Sequence, residues 1–360
     1  MQPQGLGVLQ VEPTDHCNLS CRMCAPHFER WDQVHGVDKG YLDPELWRRV
    51  LDGMVADDLR LDHIIFQWLG DPSLHPGLHE LVGAAAERLQ GRVEYLRVDT
   101  NGILLTPARI DGLLKAASPL GGEGPPLLVV FTVDAHTPAT YARVKGRDAL
   151  PLVRRNLRHL IRQRATLRRA VNLQLQFVVQ PGNDHEIADF LRYWSDLIRC
   201  QGGADWHDEV MFKRLSVGGG AAGQAAADDL YEHAIAEAGV TAGSDGAVNV
   251  LTWERRPWQQ DDGHHGERTA CPGLWLTPVI RHDGALMMCC ADLGGELSLG
   301  SLSEHSFSEL WWSQAATAHR RSHLAGRFDG VCGSCGGINW YDLTPEMVAE
   351  TEARASLLSR

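Results

Sequence analysis

Three cysteines, Cys17, Cys21 and Cys24, stand within eight residues of one another, and five more, Cys271, Cys289, Cys290, Cys332 and Cys335, fall in the last quarter of the chain. Thiolates are soft ligands that suit zinc and iron–sulfur clusters, so two groups at the two chain ends read as two metal sites. The N-terminal spacing, Cys-x3-Cys-x2-Cys, also matches one stripe of a helix buried in a core. A straight helix rises about 1.5 Å per residue and would hold its outer two sulfurs roughly 10 Å apart. One cluster could not take all three from such a helix, so a metal reading demands an irregular loop. The neighbours Thr14, Asp15, His16, Asn18, Ser20 and Arg22 suit one, because short polar side chains bond locally and favour turns. Three thiolates leave one iron of a four-iron cluster without a protein ligand. That iron is open to a substrate or cofactor.

Cys271-x12-Gly284-x4-Cys289, followed by Cys332-x2-Cys335, supplies four more thiolates. Four are what a closed iron–sulfur cluster takes, and equally what a structural zinc takes. Cys290 follows a candidate ligand directly, which lets its side chain face the other way. It reads as a hydrogen-atom donor, a spare ligand, or a small buried hydrophobe. Asp292 reads as a base for a hydroxyl proton or as the cap of a turn. Cys200 stands alone at the end of an amphipathic stretch and is expected to be buried packing.

Something must hold these groups. Apolar runs alternate with amphipathic ones, predicting strands at Gly7–Val11, His63–Trp68, Val93–Val98, Leu127–Val133, Val171–Val179 and Glu209–Leu215. Helices are expected between them, the first opened by Asp43 as N-cap and Pro44 at the first helical position. Such alternation implies an α/β fold of parallel βαβ units, whose ligands sit at the carboxyl ends of the strands. The polar motifs fall there: Gly70-Asp71-Pro72, Thr100-Asn101-Gly102, Thr132-Val133-Asp134 and Asn183. The Gly/Ala-rich stretch Ser216–Ala227 breaks the pattern and reads as a linker, and Asp261–His265 as a solvated loop.

The bulk numbers exclude some classes. With 360 residues and 44% hydrophobic composition the chain can bury a sizeable core, and its formal net charge of −12 argues against a general nucleic-acid binder. No apolar stretch is long enough to span a bilayer and no signal peptide is evident. A soluble, cytoplasmic protein is therefore expected, in a reducing compartment where cysteines serve metal binding rather than disulfides.

The segment Val11-Glu-Pro-Thr-Asp-His-Cys-Asn-Leu-Ser-Cys-Arg-Met-Cys24 closely resembles the cluster loop of the radical S-adenosylmethionine (SAM) superfamily, with Met23 where the family often has an aromatic residue. The resemblance implies that Cys17, Cys21 and Cys24 hold a [4Fe-4S] cluster whose fourth iron binds SAM, cleaved there to methionine and a 5′-deoxyadenosyl radical. It extends over most of residues 8–215 and implies a partial (β/α)6 barrel. Trp68–Pro72 takes the place of the family's Gly-Glu-Pro turn, so Gly70 and Asp71 are implied SAM contacts, as are Thr100, Asn101, Thr132 and Asp134. The C-terminal pattern, with Leu299-Gly-Ser-Leu302 and Phe307-Ser-Glu-Leu-Trp311, resembles the SPASM auxiliary domain in its shortened twitch form. A similar form occurs in the aminocyclitol (2-deoxy-scyllo-inosamine) dehydrogenase of the butirosin pathway. It implies a second [4Fe-4S] cluster on Cys271, Cys289, Cys332 and Cys335, acting as an electron carrier.

Four segments follow: a barrel over 1–215, a linker over 216–270, an auxiliary domain over 271–340 and a helical tail over 341–360. The expected reaction is two-electron oxidation of a secondary alcohol on an aminocyclitol or amino sugar, with the auxiliary cluster accepting the electron. The alternatives are a radical epimerase using Cys290 as hydrogen-atom donor, a peptide-modifying SPASM enzyme, and a non-enzymatic zinc protein. The first strand begins at Gly7, which leaves no room for an N-terminal leader-binding domain and points to a small-molecule substrate. An external one-electron donor such as flavodoxin or ferredoxin is implied, and neither nucleic acid nor membrane is.

Overall fold

The computed structural model describes residues 5–24, 39–118, 122, 124–201, 206–216, 220–253, 269–335, 337 and 341–358. Six strand–helix units come first: β1 (Gly5–Val11), α1 (Pro44–Ala56), β2 (Arg60–Phe66), α2 (Leu78–Arg88), β3 (Val93–Thr100), α3 (Pro107–Ala116), β4 (Leu127–Thr132), α4 (Pro138–Lys145), α5 (Leu150–Leu167), β5 (Val171–Val179), α6 (Ile187–Gln201), β6 (Asp208–Arg214) and α7 (Gly220–Glu237). Two strands, β7 (Gly243–Ser244) and β8 (Val248–Thr252), lead on to α8 (Gly273–Leu276), β9 (Val279–Ile280), β10 (Ala285–Met287), β11 (Ser298–Ser301), α9 (Phe307–Trp311), α10 (Gln314–Leu324), α11 (Val331–Ser334) and α12 (Pro345–Leu358).

The chain divides into two compact units, neither of them one continuous stretch: Met1–His16, Arg30–Leu96 and Gly266–Arg360 form the first, Cys17–Glu29 and Arg97–His265 the second. In the first unit β1 pairs in parallel with β2 and, on its other edge, with β9, which turns back through β10 to β11. The C-terminal segment thus builds directly onto the strand that leads to Cys17. In the second unit β4, β5, β6 and β8 run parallel, closed by antiparallel β7. Strand β3 carries the chain from one unit to the other.

Local chemistry accounts for the elements. Strands buried on both faces read as continuous apolar runs, as in β1, where Leu6, Val8, Leu9 and Val11 are buried. Asp43 caps α1 by accepting from the Glu45 amide, and the Leu46, Trp47, Val50, Leu51 and Met54 stripe is buried. Residues 220–227 of the stretch expected to be a linker instead open helix α7, and β8 continues the parallel sheet beside β6. Alanine is the strongest helix former, so Ala-rich composition here makes a helix rather than a loop. Tyr231 of α7 pins it by donating to the Phe212 carbonyl at 3.0 Å. The Asp261–His265 stretch lies outside the described residues. The C-terminal tail is helical and packed: Thr351 of α12 is fully buried and accepts from the Trp275 indole at 2.9 Å.

Several tryptophans stack on arginines. Arg164 lies over Trp206, Arg214 over Trp253, and Arg320 over both Trp311 and Trp312. The Arg164 guanidinium is also fully buried and grips the Asp208 carboxylate with two nitrogens, one at 2.7 Å. Removing one partner of a buried pair leaves an uncompensated charge, a cost of about 3–5 kcal/mol. Asp208→Ala is therefore expected to lower the free energy of unfolding by about that amount, read as the shift in the anaerobic urea midpoint multiplied by an unchanged m-value.

Candidate active site

The cysteine loop follows β1, and from Glu12 to Cys24 no helix forms. The helix-stripe reading of the triplet is thereby excluded, and the irregular loop that a cluster requires is present. In the first unit its approach is fixed by the turn after β2. Asp71 donates its amide to the His16 carbonyl at 2.9 Å, and a Cβ on Gly70 would overlap the Thr14 carbonyl oxygen. Only glycine lets that turn pass beneath the loop. The Asp71 carboxylate caps the next turn, accepting from the Ser73 amide at 2.9 Å and its hydroxyl at 2.5 Å. Glu12 is fully buried, with one oxygen 2.9 Å from His282 Nδ1 and the other accepting from the Leu69 amide at 3.3 Å. Burial works against charge on His282, but the Glu12 hydrogen bond together with the charges of Glu12, Asp15 and Asp283 outweighs it and holds the ring above its ordinary pKa.

In the second unit the loop is held by α4. Arg22 donates to the Val144 carbonyl at 3.4 Å, and the helix ends at Gly146 with φ +84°, where a side chain would meet Ser20 Oγ at 2.5 Å. Asn18 Oδ1 accepts from Asn101 Nδ2 at 2.8 Å, while its own buried Nδ2 has no partner among the described residues. Thr100 and Asn101 turn their side chains back to the Gly102 and Ile103 amides, both at 3.0 Å. Asp134 adopts φ +58°, a left-handed conformation that is strained for a non-glycine residue. It is held there by the Val178 amide at 2.7 Å, by Asn183 donating to its carbonyl at 2.9 Å, and by buried Lys145 at 2.5 Å. Lys145 Nζ also lies 3.5 Å from the Thr132 hydroxyl. Burial disfavours its charge, but Asp134 and then Cys21 more than offset this and raise its pKa.

These features test the fit of an iron–sulfur cluster. The Cys24 thiol is pushed up to about 12, first by burial and then by Cys21 and Cys17, against the pull of Lys145. Three thiols thus sit close enough to oppose one another's ionisation, which bound iron would reverse. The unpartnered Asn18 amide beside Cys17 offers a donor to cluster sulfur or to a carboxylate. The residues fit the group.

At the C-terminal site, Cys289 Sγ accepts from the Ala291 amide and Cys335 Sγ from the Gly337 amide, both at 3.4 Å, the type of contact that tunes cluster potentials. The Cys271 amide donates to His323 Nδ1 at 3.4 Å, and His323 lines a cavity of about 170 Å³ together with Leu274, Leu297, His319, Arg327 and Cys332. Among the described residues no three His, Cys, Asp or Glu groups close around a single ion. Cys290 packs against the buried cluster of Trp68, Val279 and Met287, and the neighbouring Cys289 lowers its pKa while that of Cys289 is raised. The Cys290 carbonyl accepts from the Trp68 indole at 3.0 Å. Asp292 is buried, and its two oxygens accept the Glu296 and Leu297 amides at 3.0 and 2.6 Å. It caps a turn, and the base role is not what its geometry serves. Cys200, expected in the core, is exposed. Glu12, His282, Lys145 and the Trp68 contact carry no motif of their own in the sequence. Glu12 lies inside the cysteine-loop segment, and that position is its one sequence signal.

Strand-end motifs on an α/β fold, behind a three-cysteine loop, define a radical SAM enzyme. A model of the radical SAM superfamily matches residues 11–193, just over half of the chain, and one of the SPASM iron–sulfur cluster-binding domain matches 271–336. The chain belongs to the radical SAM superfamily. Its fold is that family's α/β fold with a parallel-sheet core and a C-terminal SPASM domain, and its cofactors are [4Fe-4S] clusters and SAM. The tungsten-containing aldehyde ferredoxin oxidoreductase cofactor-modifying protein of Pyrococcus furiosus is 26% identical over 190 residues. That match covers 52% of this chain and 48% of the relative, so the chain spans about half the length of the curated relative it matches. SuiB of Streptococcus suis, bound to S-adenosylmethionine, superposes with a TM-score of 0.55 at 14% identity, over 92% of this chain and 71% of that one. BtrN, in complex with AdoMet and 2-DOIA, gives 0.48 at 16% identity, over 94% and 95%. The likeness to SuiB is one of fold. No helix among the described residues is long and apolar enough to cross a membrane.

Anaerobically reconstituted protein is expected to hold about eight irons, and the Cys17/Cys21/Cys24→Ala variant about four. Iron and sulfide analysis checks both. Stoichiometric zinc at the C-terminal site in protein purified without oxygen would contradict the second cluster.

Proposed function

We propose that the protein oxidises a secondary alcohol by two electrons on a small hydroxylated, amine-bearing molecule of the aminocyclitol or amino-sugar class. When bound, the N-terminal cluster and SAM supply a hydrogen-atom abstractor, and the auxiliary cluster an acceptor for one electron. Cys17, Cys21 and Cys24 would ligate the first cluster, and Cys271, Cys289, Cys332 and Cys335 the second. Gly70 would serve SAM through its backbone, and Asp71, Thr100, Asn101 and Asp134 mainly by shaping backbone, since their side chains are engaged locally. Thr132, whose hydroxyl has only the long approach from Lys145 among the described residues, would contact SAM directly. An external one-electron donor such as flavodoxin or ferredoxin would supply the reducing electron.

The packing of Cys290 supports the choice of oxidation. A hydrogen-atom donor must present a thiol to the substrate, whereas this side chain packs against the buried Trp68, Val279 and Met287. The substrate class has separate support in the second unit. On β5, Leu175 and Phe177 pack towards the helices, while Gln174 and Gln176 point the other way and are buried. Gln176 donates to Gln174 at 2.6 Å and Gln174 to Glu209 of β6 at 2.5 Å. On β3, Arg97 clasps Asp99 with two bonds of 2.6 Å. A parallel strand normally carries apolar residues on both faces. A face of amides and charges suits hydroxyl and amine groups.

With SAM, dithionite and candidate amino sugars in deuterated water, one 5′-deoxyadenosine per ketone is expected and no solvent deuterium in the product. Cys290→Ser should keep ketone formation. Solvent deuterium in an inverted alcohol, lost in Cys290→Ser with both clusters intact, would make the protein an epimerase instead. Thr132→Ala should weaken SAM binding by about 1–3 kcal/mol, measured by anaerobic calorimetry, the usual cost of losing a hydrogen bond to a charged group.

A further inference from the structure

Only four of the chain's 34 basic residues are lysines: Lys39, Lys115, Lys145 and Lys213. Arginine stays charged at any working pH, while a buried lysine can give up its proton. Lys145 is paired with Asp134. Lys213, near the end of β6, makes no hydrogen bond or ion pair among the described residues. It pairs in register with Val178 of β5, whose amide holds Asp134. It therefore lies at the carboxyl end of a parallel strand, where ligands bind. It also shares its face with Glu209, two rungs of alternation away.

The charged groups around Lys213 are already engaged elsewhere. Arg97 and Asp99 of β3 clasp each other, Asp134 beyond β4 is held by Lys145, and Glu209 of its own strand receives Gln174. The face of β5 beside it carries Gln174 and Gln176 and no charge. Burial, and then Arg97, lower the Lys213 pKa, with Asp99 and Asp134 opposing in part. A half-buried amine without an ion-pair partner among the described residues, at a strand end in a polar face, has the properties of a proton acceptor.

We propose that Lys213 is the base of the alcohol oxidation, a role that rests on reading the protein as a radical oxidase. The carbinol C–H hydrogen leaves as an atom to the SAM-derived abstractor. The O–H bond then breaks, its proton going to the lone pair on Lys213 Nζ. The electron left on the substrate passes to an acceptor of the iron–sulfur class, and the C=O bond is complete.

The test uses reconstituted holoenzyme and an amino sugar, deuterated at the carbinol carbon, that the wild type turns over. Lys213→Met and Lys213→Arg should both move deuterium into 5′-deoxyadenosine at close to the wild-type rate. Both should lose ketone formation by at least about 100-fold, the scale of a general base. Wild-type ketone formation should rise with pH and level off at a midpoint below the ordinary lysine value of about 10.4, because the base works deprotonated. In ¹³C-dimethylated protein without substrate, the resonance missing from Lys213→Met should titrate below that value too. Ketone at the wild-type rate in Lys213→Met, or restored by Lys213→Arg, would overturn the base and leave the oxidase reading standing. Absence of ketone from the wild type with every amino sugar would overturn both.

Discussion

A carboxylate withdrawn entirely from water must be met by charge and hydrogen bonds, and Glu12 is the clearest case in the first unit. Its two oxygens take the His282 ring and amide and the Leu69 amide. Those partners belong to the hairpin preceding Cys289 and to the turn preceding Gly70, while Glu12 itself stands five residues before Cys17. One buried group thus holds the base of the cysteine loop, the turn beneath it and the approach to the auxiliary ligands. Truncating one side of such a pair costs more than the pair contributes, because the other charge stays buried.

The second unit solves the same problem differently. Asp134 is forced into the left-handed region, which non-glycine residues avoid, and is kept there by bonds to three other segments. Asn183 spends both ends of its amide on backbone: Nδ2 on the Asp134 and Val178 carbonyls, Oδ1 on the Gln180 amide. Polar groups at strand ends that look like ligand contacts in a sequence are here mostly tying loops in place. Their service to a ligand is exercised through the backbone they hold. Lys213, by contrast, has no hydrogen bond or ion pair among the described residues.

Much of the molecule was legible in the residues. The alternation of apolar runs with amphipathic stretches follows from the periods of strand and helix, and six βα units appear where the pattern puts them, with boundaries shifted by a few residues. The cysteine loop was legible because three thiolates among turn formers have few other uses. What composition misjudged was context. Gly and Ala from Ser216 to Ala227 suggest a linker, yet the helix that begins within it runs on to Glu237, and its Ala227, Tyr231 and Ala234 are buried. Cys200 sits in an amphipathic helix but on its wet side, which a lone residue cannot reveal.

The sequence by itself determined the elements, their order, the two sets of thiolates and the family they serve, because periodicity and spacing are properties of the chain. Only the tertiary structure decided which side chains are free to act. Asp292 and Lys213 are both ionisable residues near motifs, and nothing in their neighbours along the chain ranks one above the other. The fold closes a turn around Asp292, giving both its oxygens to amides. It leaves Lys213 without a partner among the described residues, on a polar face, beside strand residues 35 to 116 positions away in sequence. Ionisation is governed by burial and by charges brought close in space, and folding alone brings them there.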